Sequence, residues 1–174
     1  MMKWVLIVVG SLIALGVVVV AVGALLPQGH VASRTARFKQ SPDVLWQTIA
    51  DIAASPSWRP DVKSVERLPD SNGHEMWREV GKYGQPMPME TIESIAPRRL
   101  VRRIADPKLP FGGTWTFEIA PANGGSTVTI TENGEIYNPF FRFMARFVFG
   151  YTATMETYLK ALGKKFGEDA EFVE

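Results

Sequence analysis

Cysteine is absent from this chain of 174 residues, and histidine occurs only at His30 and His74. Disulfide bonds and thiolate nucleophiles are therefore excluded, and the zinc sites that combine cysteine and histidine at fixed spacings cannot form. The sequence also lacks a glycine-rich phosphate loop before a helix and the G-x-S-x-G motif of serine hydrolases. We consequently expect neither a metal nor a cofactor.

An excess of one charge is also missing. Lysine and arginine total 19, aspartate and glutamate total 18, and the net charge is +1. This balance gives no overall attraction to nucleic acid, and no strand interleaves basic with aromatic residues as nucleic-acid surfaces do. The sequence therefore predicts no nucleic-acid partner. An apolar content of 46% with 21% charged residues is typical of one globular domain.

The most distinctive feature that is present is a long uncharged stretch near the N-terminus. Residues 4–26 read WVLIVVGSLIALGVVVVAVGALL. At about 1.5 Å per residue this stretch makes roughly 35 Å of helix, which is enough to cross a bilayer. We predict a single-pass anchor in the cell membrane over residues 1–26. A cleaved signal peptide is the alternative, although its apolar region usually has only about 7 to 15 residues.

The charges that flank this stretch bear on its orientation. Lys3 precedes it, whereas Arg34, Arg37 and Lys39 follow it. That count favours a cytoplasmic domain, but long domains cross membranes largely regardless of charge, and a lysine before an apolar stretch also acts as an export signal. We interpret the balance as slightly favouring an extracytoplasmic domain.

A short segment, PQGHVAS at residues 27–33, is the predicted linker, and residues 34–174 form the predicted domain. The linker spans at most about 25 Å when extended, so the domain should stay close to the bilayer. His30 lies in this linker, and we expect it to be too isolated to build a site.

The first predicted strand covers residues 31–39 and so starts within the linker. A helix follows, with Ser41 as N-cap and Pro42 as first helical residue. Leu45, Ile49 and Ile52 fall on one face of this helix. Alternating apolar residues between turn sequences then predict further strands at 62–68, 74–82, 88–95, 99–105, 113–120 and 126–136. These strands form a curved antiparallel sheet in an α+β fold.

The final helix is predicted from the Asn138-Pro139 start signal and a continuous apolar stripe. The stripe has helical spacing and can lie along the sheet; its residues are Phe141, Met144, Val148, Tyr151, Met155, Tyr158, Leu162 and Phe166. In the first half, Phe140, Phe143 and Phe147 widen the apolar arc beyond what docking on one sheet needs. We therefore expect a second contact there.

This order of elements resembles the START-like helix-grip superfamily, also called SRPBCC, the polyketide cyclase/dehydrase and lipid transport group. The segments that carry the resemblance are SPDVLWQTIAD, PSWRPDVKSVERL, GGTWTFEI, STVTITENGEI and the final helix, within about residues 31–168. The resemblance implies a sheet of about seven strands around a long C-terminal helix. It also implies an apolar cavity between the sheet and the helix, for a lipid, a steroid-like molecule or a polyketide.

Candidate site residues follow from the apolar faces and this implied cavity. The expected ligand-binding set is Trp77, Met89, Trp115, Phe117, Ile130, Glu132, Phe141, Met144, Val148, Tyr151 and Met155. Ordinary core packing remains an alternative for the stripe on the last helix. The pairs Trp77/Glu79 and Met76/Arg78 alternate on one strand, and the sequence leaves open which pair faces inward.

Two further groups have other expected roles. Glu132 shares a strand face with Val128 and Ile130, so its carboxyl group, if buried, would be a weak candidate for a general acid or base. The flank of the last helix is expected to face the membrane or a cavity entrance; its residues are Phe140, Phe143, Phe147, Arg142 and Arg146. Exposure of both arginines to solvent is the alternative for that pair.

The sequence thus favours a membrane-anchored protein that binds or transports a lipid or another apolar small molecule. One alternative is a cyclase-like or dehydratase-like enzyme that uses Glu132, and the resemblance leaves open whether any reaction is catalysed. Another alternative is an interaction module whose cavity is filled by its own side chains.

Overall fold

The structure, a computed structural model, describes residues 2–173, so Met1 and Glu174 at the outer ends of the predicted anchor and domain lie outside the described residues. The helices are α1 (Met2–Leu25), α2 (Pro42–Ala50), α3 (Pro139–Met144) and α4 (Ala153–Lys165). The strands are β1 (Gly29–Phe38), β2 (Val62–Ser71), β3 (His74–Gly81), β4 (Pro86–Ile95), β5 (Arg99–Ile104), β6 (Phe111–Ala122), β7 (Gly125–Ile136) and β8 (Glu171–Val173). A 3₁₀ turn covers Ser55–Ser57, and a π-helical turn covers Ala145–Phe149.

All eight strands belong to one antiparallel sheet in the order β2-β3-β4-β5-β6-β7-β1-β8. The seven predicted strands are present, and the α+β helix-grip architecture is confirmed. The short additional strand β8 pairs with the middle of β1. Three residues are too few for alternation to reveal, which explains why the sequence did not indicate this strand.

The hydrophobic core lies where α2 and α4 cover the concave face of the sheet at β1, β6 and β7. Leu45 and Ile49 of α2 are buried as predicted, although the side chain of Ser41 makes no capping hydrogen bond. The sheet contributes the inward-facing residues of three strands: Ala36, Phe38, Phe117, Ile119, Val128 and Ile130. Each large aliphatic side chain buried here contributes about 1.5 to 3 kcal/mol, so this half of the concave face holds the fold together.

The structure divides the predicted continuous final helix into two parts. Asn138 caps the first part as expected, since its side chain accepts hydrogen bonds from the backbone N–H of Phe140 and Phe141. After the π-helical turn, Gly150 adopts φ 73° and ψ 170°, a conformation that essentially only glycine tolerates. The helix therefore ends before α4 begins, and the apolar stripe is not continuous.

Helix α1 is the one helix within residues 2–173 that is long and apolar enough to cross a membrane. Strand β1 begins at Gly29, inside the predicted linker of residues 27–33, because Gly29 and His30 pair with Glu135 and Gly134 of β7. Only residues 26–28 separate α1 from the sheet.

The last turn of α1 packs against α3. Gly23 is buried in this contact, and a Cβ atom there would lie 1.9 Å from the carbonyl oxygen of Pro139. Arg142 Nη1 donates a hydrogen bond of 2.8 Å to the carbonyl oxygen of Leu26, just after the end of α1. We call α3 together with the π-helical turn, residues 139–149, the juxta-anchor segment.

Candidate ligand-binding site

Strand pairing establishes which side chains share the concave face. Directly paired residues of antiparallel strands point to the same side of a sheet. Glu132 pairs with Trp115, Trp115 with Arg102, and Arg102 with Thr91. Trp77 likewise pairs with Met89, and Met89 with Ile104. Because Glu132 and Ile130 lie on the core side, this register places Trp77 and Glu79, rather than Met76 and Arg78, on the concave face.

Part of the concave face is only partly covered, although Trp115 in this part meets the Tyr158 ring of α4 edge-on at 6.1 Å. Trp77, Met89, Ile104 and Trp115 face inward yet remain partly exposed, whereas Val128 and Ile130 have no exposed surface. We call these four residues the apolar trough. Trp77 and Met89 of the trough lie on β3 and β4, near the β2 edge of the sheet. Helix α4 contacts β1, near the other edge. The trough is therefore an apolar part of the concave face that solvent still reaches.

Beneath α4 the interior is filled by side chains. Phe117, Ile130 and Met155, three of the predicted ligand-binding residues, are fully buried in the core cluster with Leu159 and Leu162. Surface grooves of about 550 and 230 Å³ lie elsewhere. The larger one is lined in part by Arg99, Glu118 and Thr129, whose pairing with one another places them on the convex face.

A buried polar cluster lies between the apolar trough and the core, and it consists of Trp58, Arg59, Glu79, Arg102 and Tyr158. Arg59 Nη1 lies 3.0 Å from Glu79 Oε2, and the Arg59 guanidinium carbon lies 5.1 Å from the centre of the Tyr158 ring. The Trp58 ring meets the Tyr158 ring edge-on at 5.3 Å. Burial raises the pKa of Tyr158 to about 12, although the two arginines oppose that shift.

Arg102 stands out within the buried polar cluster. Its side chain is on the concave face, and the residue is only 4% exposed. Arg102 Nη2 donates a 2.8 Å hydrogen bond to the carbonyl oxygen of Ile49 in the last turn of α2. Among residues 2–173, no carboxylate lies within ion-pair distance of Arg102, and burial lowers the pKa of its guanidinium. Arg102 was not among the predicted site residues, although it alternates with Leu100 and Ile104 and so shares their face.

Four N–H groups in and beside the buried polar cluster are buried and make no hydrogen bond within the described residues: Trp58 Nε1, Arg59 Nε, Trp77 Nε1 and Arg102 Nε. All four are donors. More than about 90% of buried polar groups in proteins are hydrogen-bonded, so four unpaired donors in one region of the interior are unusual.

A second polar group lies at the end of the sheet nearest α1. Glu132 faces inward as predicted, and its Oε1 lies 3.5 Å from His30 Nε2. Burial is the main cause that raises the pKa of Glu132, while His30 and a hydrogen bond from Trp115 oppose the shift. The His30 ring stacks on Tyr151 at 4.2 Å. The prediction that His30 is isolated was therefore wrong, because β1 starts earlier and carries this side chain onto the concave face.

The missing side chain of Gly134 leaves space for the contact between His30 and Glu132. A Cβ atom at Gly134 would lie 2.3 Å from His30 Cε1 and 2.8 Å from Glu132 Oε1. Tyr151 directly follows the interruption at Gly150, so the stacked pair holds the start of α4 against the sheet. Glu132, His30 and Tyr151 thus form one contact group beside the apolar trough.

The remaining predicted residues lie in the juxta-anchor segment, which packs mainly on α1 and in part on β7. Phe141 and Val148, expected to bind ligand, are 48% and 57% exposed. Phe140, Phe147 and Arg146, expected at the membrane or at a cavity entrance, are also exposed, whereas Phe143 and Met144 are partly buried. Arg142 was expected to face lipid headgroups or solvent. It is instead only 8% exposed, and its side chain is hydrogen-bonded to the end of α1.

Comparisons with known proteins agree with this architecture. The family model for polyketide cyclase / dehydrase and lipid transport proteins matches residues 30–167. A START superfamily protein from Mycobacterium smegmatis superposes with a TM-score of 0.62 at 19% identity, covering 78% of this chain and 96% of that one. A Thermobifida fusca protein solved in solution gives 0.61 at 19% identity, with 79% and 93% coverage.

The Zhui aromatase/cyclase from Streptomyces sp. R1128 has a TM-score of 0.60 at 12% identity and covers 77% of this chain and 91% of its own. At these identities the likeness shows a shared fold. No curated protein matches the sequence significantly.

Proposed function

The chain belongs to the polyketide cyclase / dehydrase and lipid transport family, and from this premise we propose that it binds a lipid or another apolar small molecule in the apolar trough, beside the membrane that holds α1. One observation carries the proposal: Trp77, Met89, Ile104 and Trp115 face inward but are left partly exposed by α4. Covering such a surface with a ligand removes apolar area from water at about 25 cal/mol per Å².

The register of the sheet supports a position close to the anchor. The first residues of β1 lie next to the end of α1, and antiparallel pairing brings the end of β5 and the start of β4 to that same end of the sheet. Ile104 is the last residue of β5, and Met89 pairs with it. The apolar trough therefore opens at the end of the domain that faces the anchor.

The contact between α1 and α3 supports a retained anchor rather than a cleaved signal. Removal of α1 would expose the face of α3 that covers Gly23 and would leave Arg142 without its bond to Leu26. The exposed phenylalanines of the juxta-anchor segment continue the apolar surface of α1. Contact with the lipid surface is the arrangement that buries them.

Native mass spectrometry of the full chain released from detergent tests this function. We expect the wild type to retain an apolar ligand and Met89→Asp to lose it, because a carboxylate in the trough opposes apolar binding. Met76→Asp is the matched control, since Met76 lies on the next strand and faces the convex side. Absence of a ligand from all three proteins, also after incubation with oleyl alcohol, would contradict the proposal.

The group formed by Glu132 and His30 favours acid-base catalysis as a second candidate function. Burial raises the pKa of the Glu132 carboxyl group, which makes its carboxylate a stronger base, and the His30 imidazole lies 3.5 Å away. The Glu132 carboxylate would take a proton from the carbon between two carbonyls, and the enolate would attack a further carbonyl to close a ring. The alkoxide formed at that carbonyl would then take the proton back from the Glu132 carboxyl group. A synthetic poly-β-ketone thioester provides the assay. Equal cyclisation by wild type and Glu132→Gln would exclude this role.

A further inference from the structure

The four unpaired N–H donors in and beside the buried polar cluster indicate that hydrogen-bond acceptors are missing there. Trp58, Trp77, Arg59 and Arg102 each place an N–H group where neither a described acceptor nor solvent reaches it. A buried donor without a partner costs about 1 to 3 kcal/mol, and more for a charged group. Indole and guanidinium groups are donors only, so a ligand that pairs with these N–H groups has to bring acceptor oxygens.

The charged side chains of the buried polar cluster indicate the charge of a ligand group that would bind there. Arg59 is neutralised locally, since its guanidinium bonds to Glu79 and to Asp61. Arg102 carries a second positive charge without a carboxylate partner among the described residues, and its one hydrogen bond goes to a backbone carbonyl. Glu79 and Asp61 balance the two arginines in number, but both carboxylates contact Arg59, so the Arg102 guanidinium is left without a negatively charged group in direct contact.

Arg102 and the apolar trough lie on the same surface. Arg102 pairs with Trp115 of the trough on one side and with Thr91 of β4 on the other, and its neighbour on the same face of β5 is Ile104. A guanidinium beside an apolar surface suits an amphiphile, whose head meets the charge while its chain covers the apolar side chains.

We propose that Arg102 binds the carboxylate of a single-chain amphiphile, such as a long-chain fatty acid, whose hydrocarbon chain lies in the apolar trough. The inference rests on the proposed function, since it names the class of ligand for that same site. Trp58 and Trp77 carry further unpaired N–H groups in and beside the same cluster, and Arg59 with Glu79 holds the surrounding structure. A carboxylate is favoured over a phosphate because it brings a single negative charge to the one guanidinium of the buried polar cluster that has no carboxylate in direct contact.

The test compares three probes that share an oleoyl or oleyl chain: oleate, oleyl alcohol and lysophosphatidic acid. Each is titrated into the full chain in a non-ionic detergent, and native mass spectrometry measures the bound fraction. We expect the wild type to prefer oleate over oleyl alcohol by roughly tenfold or more, as hydrogen bonds to a charged group provide. Arg102→Gln should bring that preference close to one.

Two further variants separate binding from stability. Arg102→Lys keeps the charge and should keep part of the preference for oleate. Arg103→Gln removes the same charge from the adjacent residue, which bonds to Glu90, and should leave the preference unchanged. If Arg102 only caps α2 through Ile49, Arg102→Gln would lower the melting temperature without changing the preference, and that result would overturn the inference.

The remaining outcomes are also decisive. Equal binding of oleate and oleyl alcohol by the wild type would overturn the carboxylate site and leave the proposed function standing. A preference for lysophosphatidic acid over oleate would overturn the choice of carboxylate and indicate a phosphate head. Binding of none of the three probes would overturn the proposed function itself.

Discussion

The two halves of the aromatic C-terminal region differ in what covers them. Before Gly150, the side chains of Phe141 and Phe147 are largely exposed and their segment packs on α1. After Gly150, Met155 and Leu159 of α4 are completely buried against the sheet. Both halves have an apolar stripe with helical spacing, so the stripe identifies an apolar face without identifying its partner. In this chain one partner is the sheet, and the other is the anchor.

The largest effect is expected in the half that packs on the sheet. Leu159→Ala should lower the free energy of unfolding by about 2 to 5 kcal/mol, because it opens a cavity in a closely packed core. Phe141→Ala in the other half should change it by about 0.5 kcal/mol or less, as its side chain is half exposed. Urea denaturation measures both. Equal losses would contradict the division into two environments.

The contact of the juxta-anchor segment with α1 is tested at Gly23. Gly23→Leu places a side chain where the backbone of Pro139 lies, and such overpacking costs about 1 to 3 kcal/mol. The segment should detach, so trypsin should cleave after the buried Arg142 at least roughly fivefold faster, as that free-energy change implies.

Gly16→Leu is the matched control, because no atom lies within 4 Å of a Cβ at Gly16. Its cleavage rate should equal that of the wild type. Equal rates for all three proteins would show that α1 does not hold the segment.

The boundary between the two halves is tested by Gly150→Ala. The Gly150 conformation is strained for any residue with a Cβ, so we expect a loss of about 1 to 3 kcal/mol in thermal or urea unfolding. A more stable variant with increased helix content by circular dichroism would instead show that the helix runs through residue 150.

The smallest effect is expected at Glu132, next to the boundary. Burial raises its pKa in the fold above the ordinary value of 4.5, so the folded state binds the proton more tightly than the unfolded chain. The stabilisation that results is complete below the unfolded pKa and is lost as the pH rises through the folded pKa. Glu132→Gln should therefore be more stable than the wild type at pH 7, with the difference shrinking at pH 4. A difference independent of pH would contradict this account.

Much of the fold was predictable because its signals are local. The cap and proline at Asn138 and Pro139, the buried face of α2 and the alternation of the strands all depend on neighbours in the sequence. The interruption at Gly150 was missed because a glycine inside an apolar helical pattern is usually tolerated. The contact of α3 with α1 joins segments far apart in the sequence, and a local pattern does not reveal it.

The candidate site was less predictable because it depends on register. Alternation alone placed Glu132 correctly on the concave face. For Trp77 the face is decided only by the pairing of Trp77 with Met89 in the structure. His30 was missed because the start of β1 is set by pairing with β7 and not by its own apolar pattern. Arg102 was missed because a charged residue between two apolar ones on a strand face is normally interpreted as exposed.

The short connection between α1 and β1 limits where the protein can act. Residues 26–28 extend to roughly 10 Å, and the hydrogen bond from Arg142 to Leu26 restricts even that reach. With α1 inserted, the domain would visit only the leaflet around its own anchor and would not span the aqueous gap to another membrane. A ligand leaving the bilayer would therefore have to be handed to a soluble acceptor or returned to the same leaflet.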